Sequence, residues 1–165
     1  LHEKADFIVK VTEAPHYRRF FYQQEMKKQG FGADALRRRL DLPEYLRRIS
    51  GPRGVIGRAP AGVNSGKGFM FISHRGDVMP SGFLPIPAGN LRERSLADVY
   101  RNSPLFRELR DTSLLKGRCG ICPYKEICGG SRARAYATTG DYLDEDPCCA
   151  YRPAAVYEHE YRGGI

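Results

Sequence analysis

The stretch Cys119-Gly120-Ile121-Cys122-Pro123-Tyr124-Lys125-Glu126-Ile127-Cys128-Gly129-Gly130 decides how the rest of the chain is read. Its spacing is C-x2-C-x5-C, and after x20 a further cysteine stands at 149, directly behind Cys148. A C-x2-C turn aims two thiolates at one centre, and a third cysteine one short loop later can join them. Four thiolates suit a zinc ion or an iron-sulfur cluster. Zinc ribbons usually repeat two C-x2-C knuckles, whereas here the third cysteine stands alone and the fourth arrives from a distant loop. That spacing favours the cluster over zinc. Gly120, Gly129 and Gly130 remove side chains next to the ligands, which lets backbone N–H groups approach a bulky inorganic core. Lys116, Arg118, Arg132 and Arg134 flank the site and offset the charge of four thiolates. Of the neighbours Cys148 and Cys149 only one easily points inward, and the other is a bystander.

The five cysteines are an odd number, so a complete intrachain disulfide framework is excluded. All lie between positions 119 and 149, where disulfides of a small secreted domain would be spread out. The clustering points to a metal in a reducing compartment, hence to the cytoplasm.

Working outward, the 165 residues are 41% hydrophobic and 28% charged, which is globular composition and excludes a disordered or fibrous chain. The longest uncharged stretch, Val78 to Leu91, is too short to span a bilayer as a helix and contains three prolines. A membrane-spanning protein is not expected. The net charge is +8, and the segment from Arg18 to Arg58 carries eleven basic residues against four acids, which is +7 of that total. Such a block attracts anions, but a solvated helical face is its commoner meaning. No nucleic-acid-binding motif accompanies it, so a nucleic-acid partner is not expected.

Asp6 to Thr12 is an apolar, β-branched run of strand length that stops by Pro15. From His16 to about Gln29, Tyr17, Phe20, Phe21 and Met26 recur at near-helical spacing, with Gly30 as a stop. Strand, turn and helix make one step of an α/β layer. Residues 33–49 hold two more short helical patterns separated by Pro43, and residues 50–66 form a Gly- and Pro-rich linker. Phe69–Ser73 and Asp77–Met79 flank a hairpin turn at Gly76. Phe83–Asn90, with two prolines, reads as an extended crossing. Ser95 and Ser103-Pro104 start two helices, of which the second buries Leu105, Phe106 and Leu109 and turns Arg107 and Arg110 outward. Ser131–Thr138 is a further helix closed by Gly140. The tail after Pro153 is marginal.

These residues resemble a family. Gly82-Phe83-Leu84-Pro85, Ala88-Gly89-Asn90, Ser103-Pro104-Leu105-Phe106, Leu115-Lys116-Gly117-Arg118-Cys119-Gly120, Cys128-Gly129-Gly130-Ser131-Arg132-Ala133-Arg134-Ala135-Tyr136 and Asp146-Pro147-Cys148-Cys149 are similar to the C-terminal SPASM or twitch extension of radical SAM enzymes. The likeness is strongest to the subgroup of haem-biosynthesis decarboxylases and related maturases, and it covers about residues 67–153. Lys10-Val11-Thr12-Glu13-Ala14-Pro15-His16-Tyr17 also resembles a late strand and turn of the radical SAM partial barrel. The resemblance implies an α+β chain: the end of a partial α/β barrel (1–66), then a SPASM/twitch-like domain (67–165) with a β-hairpin, short helices and a Cys-rich cluster loop.

It further implies that Cys119, Cys122, Cys128 and Cys149 ligate one auxiliary 4Fe-4S cluster, with Cys148 as the alternative fourth ligand. Ser81, and Ser131 with Arg132, stand where the fuller pattern has further cysteines, so a second auxiliary cluster is not expected. The C-x3-C-x2-C loop that binds the SAM-cleaving cluster is absent from these residues. The expectation is therefore a C-terminal piece of a radical SAM oxidoreductase or maturase, with S-adenosylmethionine bound only in the parent protein. Its partners are then an upstream barrel half and a peptide or small-molecule substrate. The cluster relays an electron or positions substrate, and Val63-Asn64-Ser65-Gly66 borders the active site. A stand-alone zinc- or iron-sulfur-binding interaction module is the alternative. His16, His74 and His159 read as surface or turn residues, and Tyr136 and Tyr142 as packing.

Overall fold

The computed structural model describes residues 14–28, 30 and 63–153. The strand expected at 6–12, the helices within 33–49, most of the linker and the tail after Pro153 lie outside the described residues.

Helix α1 (His16–Lys28) begins just after Pro15, and Gly30 ends it at φ 80° with its N–H donated to Lys27 O. The face it buries differs from the expected one. Tyr17 and Phe20 are exposed, whereas Tyr22 is buried with Met26 partly buried beside it. Four aromatics in six positions give the helix apolar side chains nearly all round, so periodicity alone cannot select a face. The choice is made by the cysteine loop: Tyr22 packs on Tyr124 and Ile127, with ring centroids of the two tyrosines 6.0 Å apart in an edge-to-face arrangement.

The hairpin forms as read. Strands β1 (Phe71–Ile72) and β2 (Asp77–Met79) pair antiparallel, Phe71 opposite Met79, around Gly76 at φ 87°. The extended crossing ends in β3 (Gly89–Asn90), which pairs with the other edge of β2, Val78 opposite Gly89. A side chain at 89 would meet Val99 at 2.9 Å, so the missing Cβ lets the next helix lie flat on the sheet.

That helix, α2 (Leu96–Asn102), is capped by Ser95, whose hydroxyl accepts from Asp98 N. Helix α3 (Pro104–Arg110) follows with proline in its first turn, but Ser103 makes no side-chain capping bond there. Phe106 and Leu109 are buried as expected. Arg110, in contrast, folds back: its guanidinium donates to Tyr100 O at 2.6 Å and stacks on the Tyr100 ring. Val78, Val99 and Phe106 form the sheet-side core. Leu84, Leu109 and Ala133 form a second core that Tyr136 and Tyr142 join as packing residues.

A 3-10 turn (Thr112–Leu114) leads to the single-turn α4 (Gly117–Gly120), and the last helix among the described residues is α5 (Arg132–Thr139). Helix α5 is capped by Ser131, whose hydroxyl accepts from Arg134 N, and ends at Gly140 with φ 77°. The described residues are thus α+β, helices packed on a small antiparallel sheet. Among them no helix is long and apolar enough to cross a membrane.

Candidate metal centre

The loop from Cys119 to Cys128 is a run of tight turns. Cys119 leaves α4, Cys122 N donates to Cys119 O, Lys125 N to Cys122 O and Cys128 N to Tyr124 O. Gly129 and Gly130 then both take φ 65°, which reverses the chain into α5. Of these two glycines Gly130 is the more closely packed: a Cβ there would lie 3.0 Å from Cys119 Sγ and 2.6 Å from the Arg132 guanidinium. Asn64 fixes the turn from outside, its amide donating to Gly130 O at 2.6 Å and to Cys128 O at 3.4 Å.

These turns, with the 145–149 loop, place Cys119, Cys122, Cys128 and Cys149 on the wall of one pocket. Cys148 is exposed and is not among the pocket's lining residues. The loop that separates the two neighbours is held by Asp146, a buried carboxylate that accepts from Ser131 N, from the Arg134 guanidinium and from Cys148 N. Its own N–H points at Cys119 Sγ, 3.4 Å away. Burial pushes the Asp146 carboxyl up, but Arg134 and the two backbone donors outweigh it and hold the group below the ordinary carboxylate value.

The basic residues divide their work. Lys116 pairs with Asp141 and Arg134 with Asp146, so both are taken up by carboxylates rather than facing sulfur. Arg118 pairs with Glu145 and also donates to Cys149 O at 3.0 Å. Arg132 reaches the thiols: buried at 2% exposure, it donates to Tyr142 O and Asp144 O and holds Nη2 3.7 Å from Cys119 Sγ.

Burial pushes the Cys122 thiol up to about 12 and the Cys128 thiol up to about 11, and the neighbouring cysteines add to both shifts. Without a bound group these thiols are protonated at neutral pH, so binding a metal group releases their protons. A tetrahedral zinc with Zn–S near 2.3 Å needs its sulfurs about 3.8 Å apart. Among the described residues no group of three or more His, Cys, Asp or Glu side chains is placed to hold a single metal ion. In their chemistry the lining residues fit a thiolate-bound group: four cysteines line one pocket, and the buried Arg132 guanidinium beside Cys119 offsets their charge.

Comparison with known proteins bears on which group that is. Residues 64–129 match the iron-sulfur cluster-binding domain called SPASM. They are a SPASM domain. SPASM domains are the iron-sulfur-binding C-terminal parts of radical SAM enzymes, and the relatives of this chain carry matching names. An AdoMet-dependent heme synthase of Methanosarcina barkeri is 42% identical over 153 residues, 93% of this chain and 39% of that protein. The AdoMet-dependent heme synthase of Nitratidesulfovibrio vulgaris is 38% identical over 88% of this chain and 35% of its own length. A PqqA peptide cyclase of Xanthomonas axonopodis is 38% identical over 69% of this chain and 35% of that protein. The chain thus spans little more than a third of the relatives it matches, and iron-sulfur binding is the property these likenesses establish for it.

Several pocket residues were not legible in the sequence. His16 and Arg19, from the first turn of α1, line the pocket beside the cysteines, as do Glu145 and Tyr151. His16 was expected in a surface or turn role, and Arg18 and Arg19 in a solvated basic face. Arg18 turns instead toward Ile127 O, 3.5 Å away, and burial lowers its pKa. Pro15 just before the helix was the available signal, since it fixes where the first turn begins. Nothing local says which loop that turn meets. Ser81 is buried with its hydroxyl held by Ser65 Oγ and Phe83 N, away from the cysteine pocket.

Proposed function

We propose that Cys119, Cys122, Cys128 and Cys149 hold one auxiliary 4Fe-4S cluster in an AdoMet-dependent radical enzyme of the heme-synthase type. The observation that carries this reading is the shared pocket: these four cysteines line it and Cys148 does not. Near-complete coverage of this chain by the heme synthases, against 69% by the peptide cyclase, favours the haem-related chemistry over peptide cyclisation. Residues 1–66 then complete an upstream partial barrel that carries the SAM-cleaving site, and residues 67–165 are the auxiliary domain of a cytoplasmic protein.

The bound cluster supplies a site that stores and passes single electrons. The chain's own residues do the rest. Arg132 places fixed positive charge beside Cys119, Arg118 ties the Cys149 backbone to the body of the domain, and Asn64 locks the glycine turn between Cys128 and α5. The Ser81 and Ser131 hydroxyls are spent on turn and cap, which supports a single auxiliary cluster.

Anaerobic reconstitution tests the reading. Iron and sulfide bound in about equal amounts, with broad visible absorption, is the expected result. One colourless zinc per chain would sink it.

A further inference from the structure

Among the described residues, two buried side-chain polar atoms have no hydrogen-bond partner: Nδ1 of His16 and Nε of Arg19. Both side chains line the cysteine pocket. Buried polar groups are nearly always paired, so each exception calls for a reason. Here the two exceptions stand three residues apart in α1, a spacing that puts them on one face of the helix. The face is the one that meets the cysteine loop, since Tyr22 and Met26 continue it onto Tyr124 and Ile127.

The remainder of Arg19 is held in place. Nη1 donates to Gln23 Oε1 at 2.8 Å, and the guanidinium lies 4.5 Å from the ring centroid of Tyr151, itself a pocket residue. Those contacts leave Nε as a fixed donor rather than one that can swing to water. Two unpaired polar atoms in a pocket lined by four cysteines suit an acceptor that is soft, negatively charged and extended, such as the sulfur surface of a cluster.

We propose that His16, with its proton on Nδ1, and Arg19, through Nε, donate hydrogen bonds to the sulfurs of the cluster held by the four cysteines and thereby raise its reduction potential. The proposal rests on the cluster reading above. Reduction by one electron from an external low-potential donor adds negative charge to those sulfurs without making or breaking a covalent bond. Donors aimed at them favour the reduced state, and the cationic donor favours it more. His16 and Arg19 are positioning residues in this account, because they set a potential and touch no reacting bond.

The test is a dithionite titration, followed by electron paramagnetic resonance, of the full chain reconstituted anaerobically with ferrous iron and sulfide. His16→Leu and Arg19→Leu are expected to bind iron and sulfide as the wild type does and to shift the one-electron equilibrium about tenfold or more toward the oxidised form. That shift is about 59 mV to more negative potential for His16→Leu and larger for Arg19→Leu. His16→Gln, which keeps an N–H donor, is expected to recover at least half of it. Loaded Leu variants that titrate at the wild-type potential overturn the proposal. So does a His16→Leu chain that loses iron while still folded by circular dichroism, since His16 would then be an iron ligand. Where a Leu variant fails to fold, Arg19→Lys is read instead: it keeps the charge without Nε, a more negative potential supports the proposal, and an unchanged one overturns it. A wild-type chain that takes up no iron and sulfide defeats the cluster reading itself, before any variant is compared.

Discussion

The Arg132 guanidinium lies 3.7 Å from Cys119 Sγ while its other nitrogen serves the carbonyls of Tyr142 and Asp144. One buried cation therefore ties the start of α5, the 142–144 turn and a cysteine of the pocket together. Burial pushes its pKa down, and Cys119 and Asp146 work in the opposite direction. Arg132→Met is expected to leave two carbonyls unpaired and to destabilise the chain by about 2–6 kcal/mol, at roughly 1–3 kcal/mol for each group. Arg132→Lys keeps charge but not the planar fork and should recover only part of the loss. Denaturant midpoints of the three chains measure it, and a Met variant as stable as the wild type would show that the fork is dispensable.

Gly130 and Gly140 have nearly the same backbone, φ 65° and φ 77°, but different surroundings. A Cβ at 140 meets nothing within 4 Å, whereas one at 130 meets Cys119 Sγ and the Arg132 guanidinium. Gly140→Ala should cost about 1–2 kcal/mol of stability for the left-handed backbone and leave iron binding intact. Gly130→Ala should cost more and lower iron content as well. Iron content per chain separates the two, and equal retention would count against a close-packed cysteine turn.

Two of the cysteines, Cys128 and Cys148, give a sharper pair. Cys128→Ala is expected to abolish iron retention, and Cys148→Ala to leave most of it, because Cys148 is exposed and outside the pocket. The check is iron and sulfide analysis after reconstitution and desalting. A Cys148 variant without iron would move the fourth ligand by one residue.

Asp77 makes the hairpin pH-sensitive. The Asn90 amide first, and then the Ser73 hydroxyl, hold its carboxyl below the ordinary 3.8. A carboxyl depressed in the folded state contributes stability that is present above its unfolded pKa and is lost as pH falls through the lower folded value. Asp77→Asn should therefore be less stable than wild type at pH 6, with the gap closing below about pH 3. Urea unfolding at the two pH values reads it, and a gap that widened in acid would reverse the assignment.

How much of this was legible in advance followed the range of each interaction. Ser95, Ser131 and Gly140 act on backbone within four residues, so sequence alone located their helix ends. The cysteine spacing is likewise local and pointed to Cys119, Cys122 and Cys128 as one group. Arg110 folding onto Tyr100 and Lys116 pairing with Asp141 were missed, because a long cationic side chain reaches partners ten or twenty-five residues away that no periodicity marks. The burial of Tyr22 in place of Tyr17 and Phe20 was missed for the same reason at larger scale. Among the described residues it is the loop around Tyr124, about a hundred residues on, that decides which side of α1 is inside.

That separation also gives assembly an order. The contact between Gln23 and Tyr124 spans 101 residues, whereas Cys119 to Cys128 lie within one loop. Chain-closure entropy grows with span, and contacts of long span form late. The cysteine turn is therefore expected to take shape while α1 is still undocked, with the wall bearing His16 and Arg19 arriving after it. On the proposed cluster reading, iron and sulfide would then meet a site open on that side, and the docking of α1 would shield them.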